Sequence, residues 1–185
     1  MFIEKIKKWK TLSSTYIHKS KWATLRRDVC EMSDGRIVDD YYVLEYPDFA
    51  GAVAITANNK VLMVQQYRQA AGIVGLELPG GVVDEGESPR EAIQRELLEE
   101  TGYLFENIEP ICILCPNPST ANNRFHGFLA TGGKKIRDAA LEELEELVVE
   151  EYTIDEIKQL LLDNKIAQAL HTGALFYGLM KLGVL

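Results

Sequence analysis

The stretch between Gly81 and Tyr103, GVVDEGESPREAIQRELLEETGY, holds a crowded set of carboxylates. A helix would bring Glu96, Glu99 and Glu100 onto one face, because residues three and four apart are neighbours there. Like charges at this spacing repel one another unless a cation lies between them. Mg²⁺ prefers carboxylate oxygens, and two such ions can stabilise in-line attack at phosphorus. The alternative is a solvated acidic helix face whose repulsion basic residues offset.

The same stretch also indicates where this helix begins and ends. Ser88 and Glu91 have the spacing of a capping box, and Pro89 suits the first helical position. Gly102 can close the helix at its other end. We therefore predict a helix over residues 89–101, with the clustered glutamates in its second half.

The spacing of the stretch matches the Nudix box, G-x5-E-x7-R-E-U-x-E-E-x-G-U with U apolar, at every fixed position. Tyr103 is a slightly polar choice for the last U. The chain therefore resembles the Nudix hydrolases, in which this box is a divalent metal site. The resemblance implies Mg²⁺ as the cofactor, with Mn²⁺ as a substitute. It implies that Glu96, Glu100 and the Gly80 backbone carbonyl are metal ligands.

Three further residues of the box receive roles from the same resemblance. Glu99 is expected to act in catalysis, as a third metal ligand or as the group that takes the proton from water. Arg95 is expected to hold the carboxylates in place. Glu87 is expected to brace the loop ahead of the helix.

Residues before and after the box narrow the resemblance to the ADP-ribose and nucleotide-sugar pyrophosphatases. The segments VQQYRQA and LELPGG are similar to those of that branch. The similarity implies that Arg68 contacts a substrate phosphate and that Glu77 takes part in substrate binding. Glu77 has an alternative role as an ion-pair partner of Arg68. Pro118 matches a proline that this branch carries downstream of the box.

The segment from Asn117 to Arg124 departs from the pattern of that branch. ADP-ribose enzymes usually have Pro-Gly and then an acidic residue, whereas this chain has NPSTANNR. The departure puts ADP-ribose in doubt as the preferred substrate. Asn123 and Arg124 are candidates for reading sugar hydroxyls or phosphate, and their alternative role is hydrogen bonding between loop and strand.

A catalytic base is expected on a loop after the box, since related enzymes carry an E-x-E pattern just before a strand. The pattern maps the base to Glu143 and an additional metal ligand to Glu145. The alternative is an ordinary charged loop or helix end. Trp22 occupies a place where related enzymes stack the nucleobase, and its alternative role is to fill the core.

The break at residues 47–51 divides the chain into an N-terminal arm with a small β-subdomain (1–50) and a Nudix catalytic domain (51–185). We expect the first part to bind the base and to form a dimer, because a two-stranded unit is marginal alone. The fold class is α/β, an α/β/α sandwich with a mixed sheet. We predict an amphipathic N-terminal arm, hairpins over 21–46 and 52–68, strands at 107–115, 124–130 and 147–153, an exposed loop or short helix at 131–146, and helices at 154–164 and 166–182.

Composition limits the partners of the chain. Its 185 residues carry a formal charge of −8, which argues against binding to nucleic acid or to an anionic membrane. Three cysteines and the lack of a signal-like apolar run favour the cytoplasm. The predicted function is Mg²⁺-dependent cleavage of a nucleoside diphosphate sugar by a homodimer. The alternatives are a Nudix enzyme for another nucleotide and a non-catalytic nucleotide-sugar sensor.

Overall fold

A computed structural model describes residues 6–21, 23–141, 143 and 145–185. The chain forms two compact units. The first comprises the described residues up to Tyr46 together with Cys115–Asn123, and the second comprises Pro47–Leu114 and the described residues from Arg124 onwards. Trp22 lies outside the described residues.

The first unit contains a three-stranded antiparallel sheet among its described residues, in the order β1-β2-β3. Strand β1 spans Lys10–Lys19, β2 spans Thr24–Glu31 and β3 spans Ile37–Glu45. The predicted hairpin of β2 and β3 is confirmed. The prediction of a two-stranded unit is wrong, because the Thr- and Ser-rich run after Trp9 extends and pairs with β2 along its whole length.

Residues 115–123 join the first unit by hydrogen bonds to β3. The Leu44 N–H donates to the Thr120 carbonyl, and the Leu44 carbonyl accepts from the Asn122 N–H. The Tyr41 hydroxyl donates to the Ser119 carbonyl. A segment distant in sequence thus completes the edge of this small sheet.

The second unit is built on a mixed sheet, in which β10 runs parallel to β4 and the other pairs are antiparallel. The order of its main path is β11-β5-β4-β10-β8, while β6 pairs with β5, β7 with β4 and β9 with β10. The strands are β4 Phe49–Thr56, β5 Val61–Arg68, β6 Ile73–Glu77, β7 Gly80–Val82, β8 Tyr103–Leu104, β9 Asn107–Leu114, β10 Phe125–Lys135 and β11 Leu147–Tyr152.

Helices cover both faces of this sheet. Helix α1 (Pro89–Glu96) continues into a π-helical turn (Leu97–Thr101), α2 spans Ile154–Leu162 and α3 spans Ala169–Lys181. Along β4, Ala52 and Ala54 pack in one core cluster with α1, whereas Val53 and Ile55 pack in a second cluster with α2 and α3. This alternation confirms the predicted α/β/α sandwich.

Two predicted elements differ from the structure. Residues 131–146 were expected to form a loop or short helix, but β10 continues to Lys135, because Lys134 and Lys135 pair with β8. The last helix begins at Ala169, after the Gln168 side chain caps it, rather than at residue 166. Within the described residues, no helix is long and apolar enough to cross a membrane.

Candidate active site

Helix α1 and the π-helical turn that follows it together begin and end where local sequence signals predict, although the last five of the predicted helical residues are π-helical. The Ser88 hydroxyl accepts from the Glu91 N–H at 3.3 Å, and the Glu91 carboxylate accepts from the Ser88 N–H at 2.8 Å. Gly102 closes the π-helical turn in the left-handed conformation, at φ 76°. The wider π turn carries Glu99 and Glu100, and such turns are frequent at functional sites.

Two glycines at the start of β7 allow close packing on both sides of this strand, Gly80 against the backbone of β4 and Gly81 against Glu96 of the helix. Gly80 has a φ of 149°, and a Cβ there would lie 2.1 Å from the Ala50 carbonyl oxygen. A Cβ on Gly81 would lie 2.3 Å from Oε1 of Glu96. The Gly80 N–H donates to Oε2 of Glu100 at 2.7 Å. The Gly80–Gly81 segment at the start of β7 therefore brings the backbone and both buried carboxylates together.

Arg95 connects the loop ahead of the helix to the carboxylates on it. Its Nε and Nη2 donate to the two oxygens of Glu87 at 3.1 and 3.0 Å. Its Nη1 donates to Glu96 at 2.8 Å and to Glu99 at 3.2 Å, and Nη2 also reaches the Val82 carbonyl. Hydrogen bonding, first of all to Glu87, raises the pKa of Arg95. One guanidinium thus orients three carboxylates.

Glu96 and Glu100 are buried carboxylates whose negative charge is incompletely balanced. Burial raises the pKa of Glu96, although Arg95 opposes the shift. Burial, together with the Glu96 and Glu145 carboxylates, raises the pKa of Glu100 to about 8, although the Gly80 N–H and Arg68 oppose the shift. The Glu145 carboxylate therefore acts on both box glutamates. This cluster favours a bound proton or a bound cation.

The donor set of the cluster fits a hard divalent cation. Mg²⁺ takes carboxylate and carbonyl oxygens, and Glu96, Glu100 and Glu145 supply three carboxylates that repel one another electrostatically. Among the residues that the structure describes, no three His, Cys, Asp or Glu side chains already converge as a metal-binding group. Binding would therefore require these side chains to adjust, and Arg95 already holds one oxygen of Glu96 and one of the neighbouring Glu99.

A third buried carboxylate, Glu77, lies at the end of β6 and forms a two-point ion pair with Arg68. Glu77 accepts from Arg68 Nε at 2.9 Å and from Nη2 at 2.6 Å. Burial is the largest single influence on the pKa of Glu77 and would raise it, but the Arg68 hydrogen bonds together with the charges of His171 and Arg68 lower it overall. Arg68 keeps 51% of its side-chain surface exposed. The ion pair thus presents a guanidinium to solvent from a fixed position.

His171 adjoins this ion pair and was missed in the sequence. It lies on α3, its Nδ1 accepts from the Leu78 N–H at 3.2 Å, and it is 3.8 Å from Oε2 of Glu77. Burial lowers the pKa of His171 to about 4; Glu77 opposes this shift and Arg68 adds to it. A histidine on the apolar stripe of the last helix is the only sequence signal for this contact.

The remaining predicted residues are distributed over both units. Glu143 is exposed in the loop before β11, and Glu145 is half-buried. In the second unit Arg124 has an exposed side chain, and its backbone N–H donates to Asp48 Oδ1 at 2.7 Å. In the first unit Pro118 is exposed and Asn123 is buried.

Comparison with known proteins gives matches along most of the chain. Residues 9–44 match the family described as nucleoside diphosphate sugar hydrolase N-terminal domain, and residues 46–172 match the NUDIX domain. The chain is 33% identical to the methanol dehydrogenase activator of Bacillus methanolicus over 85% of each chain. It is 27% identical to the ADP-ribose pyrophosphatase of Bacillus subtilis over 91% of each chain.

A solved structure, the crystal structure of an ADP compounds hydrolase, has the same fold. The TM-score is 0.80, and the match covers 99% of this chain and 100% of the other. At 22% sequence identity, this likeness concerns the fold alone.

Proposed function

The chain belongs to the Nudix hydrolase family, and we propose that it hydrolyses the pyrophosphate bond of a nucleoside diphosphate sugar such as ADP-ribose or GDP-mannose. The products are a nucleoside monophosphate and a sugar phosphate. The observation that carries the proposal is the pair of buried, incompletely balanced carboxylates, Glu96 and Glu100, against the Gly80–Gly81 turn. The match of residues 9–44 to the nucleoside diphosphate sugar hydrolase N-terminal domain supports the substrate class.

The acidic cluster is proposed to hold Mg²⁺, with Mn²⁺ as a substitute. Glu96, Glu100 and the Gly80 carbonyl supply ligands, and Glu145 adds one from the loop before β11. When bound, the ion offsets phosphate charge and lowers the pKa of water. Arg95 keeps the Glu96 carboxylate turned toward the cluster through its 2.8 Å hydrogen bond.

Arg68 is proposed to bind a substrate phosphate. Its guanidinium plane is fixed by the two hydrogen bonds to Glu77, while half of its side-chain surface stays exposed. A preoriented guanidinium loses little conformational entropy when it binds a phosphate. Glu77 therefore contributes to substrate binding through Arg68. Pro118, Asn123 and Arg124 remain proposed substrate contacts, as does Trp22 for the base.

Glu143 is proposed as the general base, because it is an exposed carboxylate two residues before Glu145, whose charge acts on the box glutamates. We expect Glu143→Gln to lower kcat about 100-fold, the lower end for loss of a general base, without weakening Mg²⁺ binding. The neighbouring exposed Glu146→Gln is the matched control. An unchanged kcat in Glu143→Gln would assign the base elsewhere, with Glu99 as the next candidate.

A homodimer is proposed from the first unit. Strand β1 is an edge strand with every residue exposed, including Leu12, Tyr16 and Ile17. Long exposed edge strands with apolar side chains pair readily with another chain. Sedimentation at low protein concentration is expected to give a dimer, and a stable monomer would refute it. The three free cysteines suit a reducing compartment, and we propose the cytoplasm.

The decisive assay measures sugar phosphate and nucleoside monophosphate released from a panel of nucleotide sugars with Mg²⁺. Dinucleoside polyphosphates and coenzymes serve as the comparison set. We expect turnover of at least one nucleotide sugar, abolished by a chelator and restored by Mg²⁺. Faster turnover of a member of the comparison set would replace the substrate class. No turnover of any compound, together with tight binding of a nucleotide sugar, would favour a sensor.

A further inference from the structure

His171 makes a specific polar contact with the backbone beside the proposed site. Its ring is buried on α3, with the Phe125 ring 6.0 Å away between centroids. Its Nδ1 lies 3.2 Å from the backbone nitrogen of Leu78, and the N–H points at it. A histidine in an apolar core is costly unless its polar atoms are satisfied, so this contact is a feature of the fold.

The direction of this hydrogen bond determines the state of the ring. Because the Leu78 N–H is a donor, Nδ1 must be unprotonated and must accept. Leu78 itself follows the last residue of β6, where the pairing with β5 ends at Glu77. A buried backbone N–H beyond the end of a strand needs an acceptor, and the imidazole on α3 supplies one.

Leu78 lies between the two proposed functional groups of this segment. Glu77 precedes it and fixes Arg68, while Gly80 follows after Pro79 and approaches Glu100 through its N–H. A shift of the Leu78 backbone would therefore displace both the phosphate-binding guanidinium and the metal-binding turn.

We propose that His171 is a positioning residue: by accepting from the Leu78 N–H it holds the segment Glu77–Gly80 in register with both the metal cluster and Arg68. This inference rests on the proposed pyrophosphatase function. His171 does not contact the acidic cluster itself, and acts through the backbone. If His171 only filled space, any apolar side chain of similar volume could replace it without loss of activity or of Mg²⁺ affinity.

Two substitutions distinguish the role of the hydrogen-bond acceptor of His171 from that of the volume of its side chain. His171→Asn retains an acceptor close to the position of Nδ1, whereas His171→Leu retains apolar volume without an acceptor. Thr172→Val is the matched control, because it removes a hydrogen bond to the Ile166 carbonyl from the same helical turn without involving Leu78. Each variant is assayed for kcat, KM, Mg²⁺ affinity by calorimetry and thermal unfolding.

We expect His171→Leu to lower kcat/KM and Mg²⁺ affinity by about 10- to 100-fold, the range for groups that orient metal ligands. His171→Asn is expected to recover most of that loss, and Thr172→Val to show none. A folded His171→Leu variant with wild-type kcat, KM and Mg²⁺ affinity would overturn the proposal. So would equal losses in the Asn and Leu variants.

A measurement on the unsubstituted protein covers the case in which the Leu variant does not fold. In ¹⁵N-labelled protein the N–H···N bond is expected to give a scalar coupling between the Leu78 nitrogen and His171 Nδ1, with the ring in the Nε2–H form. Absence of the coupling would overturn the proposal. If the unsubstituted protein cleaves no nucleotide sugar, the proposed function fails, while the coupling and the Mg²⁺ affinities still decide the role of His171.

Discussion

Two carboxylates in the second unit are buried almost equally, and yet the pKa of one is lowered and that of the other is raised. Glu77 is 3% exposed and Glu100 is 4% exposed. Glu77 accepts two hydrogen bonds from Arg68 and its pKa is lowered. The pKa of Glu100 is raised to about 8 by burial and by neighbouring carboxylates, against a single backbone donor, Gly80.

The difference shows that burial disfavours the charged form of a carboxylate, and that the charge of the neighbouring group then decides whether its pKa is lowered or raised. Around Glu77 the fold supplies a guanidinium, so the region is complete as a structural ion pair. Around Glu100 the fold supplies further carboxylates, so the region is stable only with a proton or a cation. We interpret the first region as support for phosphate binding and the second as the metal site.

The largest effect is expected from a substitution of Glu100 in the proposed metal site. Glu100→Gln keeps the shape of the side chain but removes a charge from the cluster, so Mg²⁺-dependent kcat/KM is expected to fall about 10²- to 10³-fold. Steady-state assays with a nucleotide sugar measure the loss. The control is Glu85→Gln, an exposed glutamate of the loop between β7 and α1. Turnover at the rate of the unsubstituted protein would remove Glu100 from the metal site.

Stability should respond in opposite directions in the two regions. Without metal at pH 8, Glu100→Gln is expected to stabilise the fold, because an incompletely balanced carboxylate is lost. Glu77→Gln is expected to destabilise it by about 1–2 kcal/mol, a value reduced because Arg68 is half-exposed. Urea denaturation of both variants checks this. If both substitutions changed the free energy of unfolding in the same direction, the proposed difference between Glu77 and Glu100 would be wrong.

Two glycines next to the carboxylates permit a matched steric test. In Gly81→Ala the new methyl would lie 2.3 Å from Glu96 Oε1, so the carboxylate must move and Mg²⁺ affinity is expected to fall about 10-fold. In Gly75→Ala the methyl would lie 3.3 Å from Glu77 Oε1, so only a small rise in the KM for substrate is expected, less than about 10-fold. Calorimetry and kinetics give the two values. If Gly75→Ala changed KM by a larger factor than Gly81→Ala changed Mg²⁺ affinity, the closer packing inferred around Glu96 would be contradicted.

The smallest effect is the pH dependence of stability in metal-free protein. The usual pKa of a glutamate is 4.5, and that of Glu100 in the fold is about 8. Between these values the unfolded chain releases a proton that the folded protein keeps, so rising pH favours unfolding. The melting temperature is expected to fall between pH 6.5 and 8, by about 2–4 °C for each kcal/mol lost. Below pH 6.5 the lowered pKa of His171 acts in the opposite direction, because the unfolded chain binds a proton that the folded ring does not. Added Mg²⁺ should offset the fall, and Glu100→Gln should flatten it. A rising melting temperature over this range in the metal-free protein would contradict the raised pKa.

The features that sequence predicted correctly depend on short-range interactions. The Ser88–Glu91 capping box, the Gly102 stop and the spacing of the box glutamates lie within one helix and its ends. The Thr153–Glu156 capping box before α2 is a signal of the same kind, and it begins the helix that was predicted from residue 154. Such signals act between residues a few positions apart, so they can be read from a single chain.

The features that sequence missed depend on contacts between distant segments. Strand β1 has polar and apolar residues in no clear helical or strand period, and it forms because β2 offers a partner edge. The extension of β10 to Lys135 likewise depends on pairing with β8. Residues 115–123 pack on β3 from a position far along the chain.

The sequence by itself determined the family, the acidic face of α1 and the presence of Arg68 and Glu77 ahead of it. Only the tertiary structure decided which carboxylates are balanced. It pairs Glu77 with Arg68 and brings His171 from α3 to Leu78, while it leaves Glu100 beside Glu96 and under the influence of Glu145. The physical reason is that a pKa depends on burial and on nearby charges, and both are set by contacts between segments far apart in the chain.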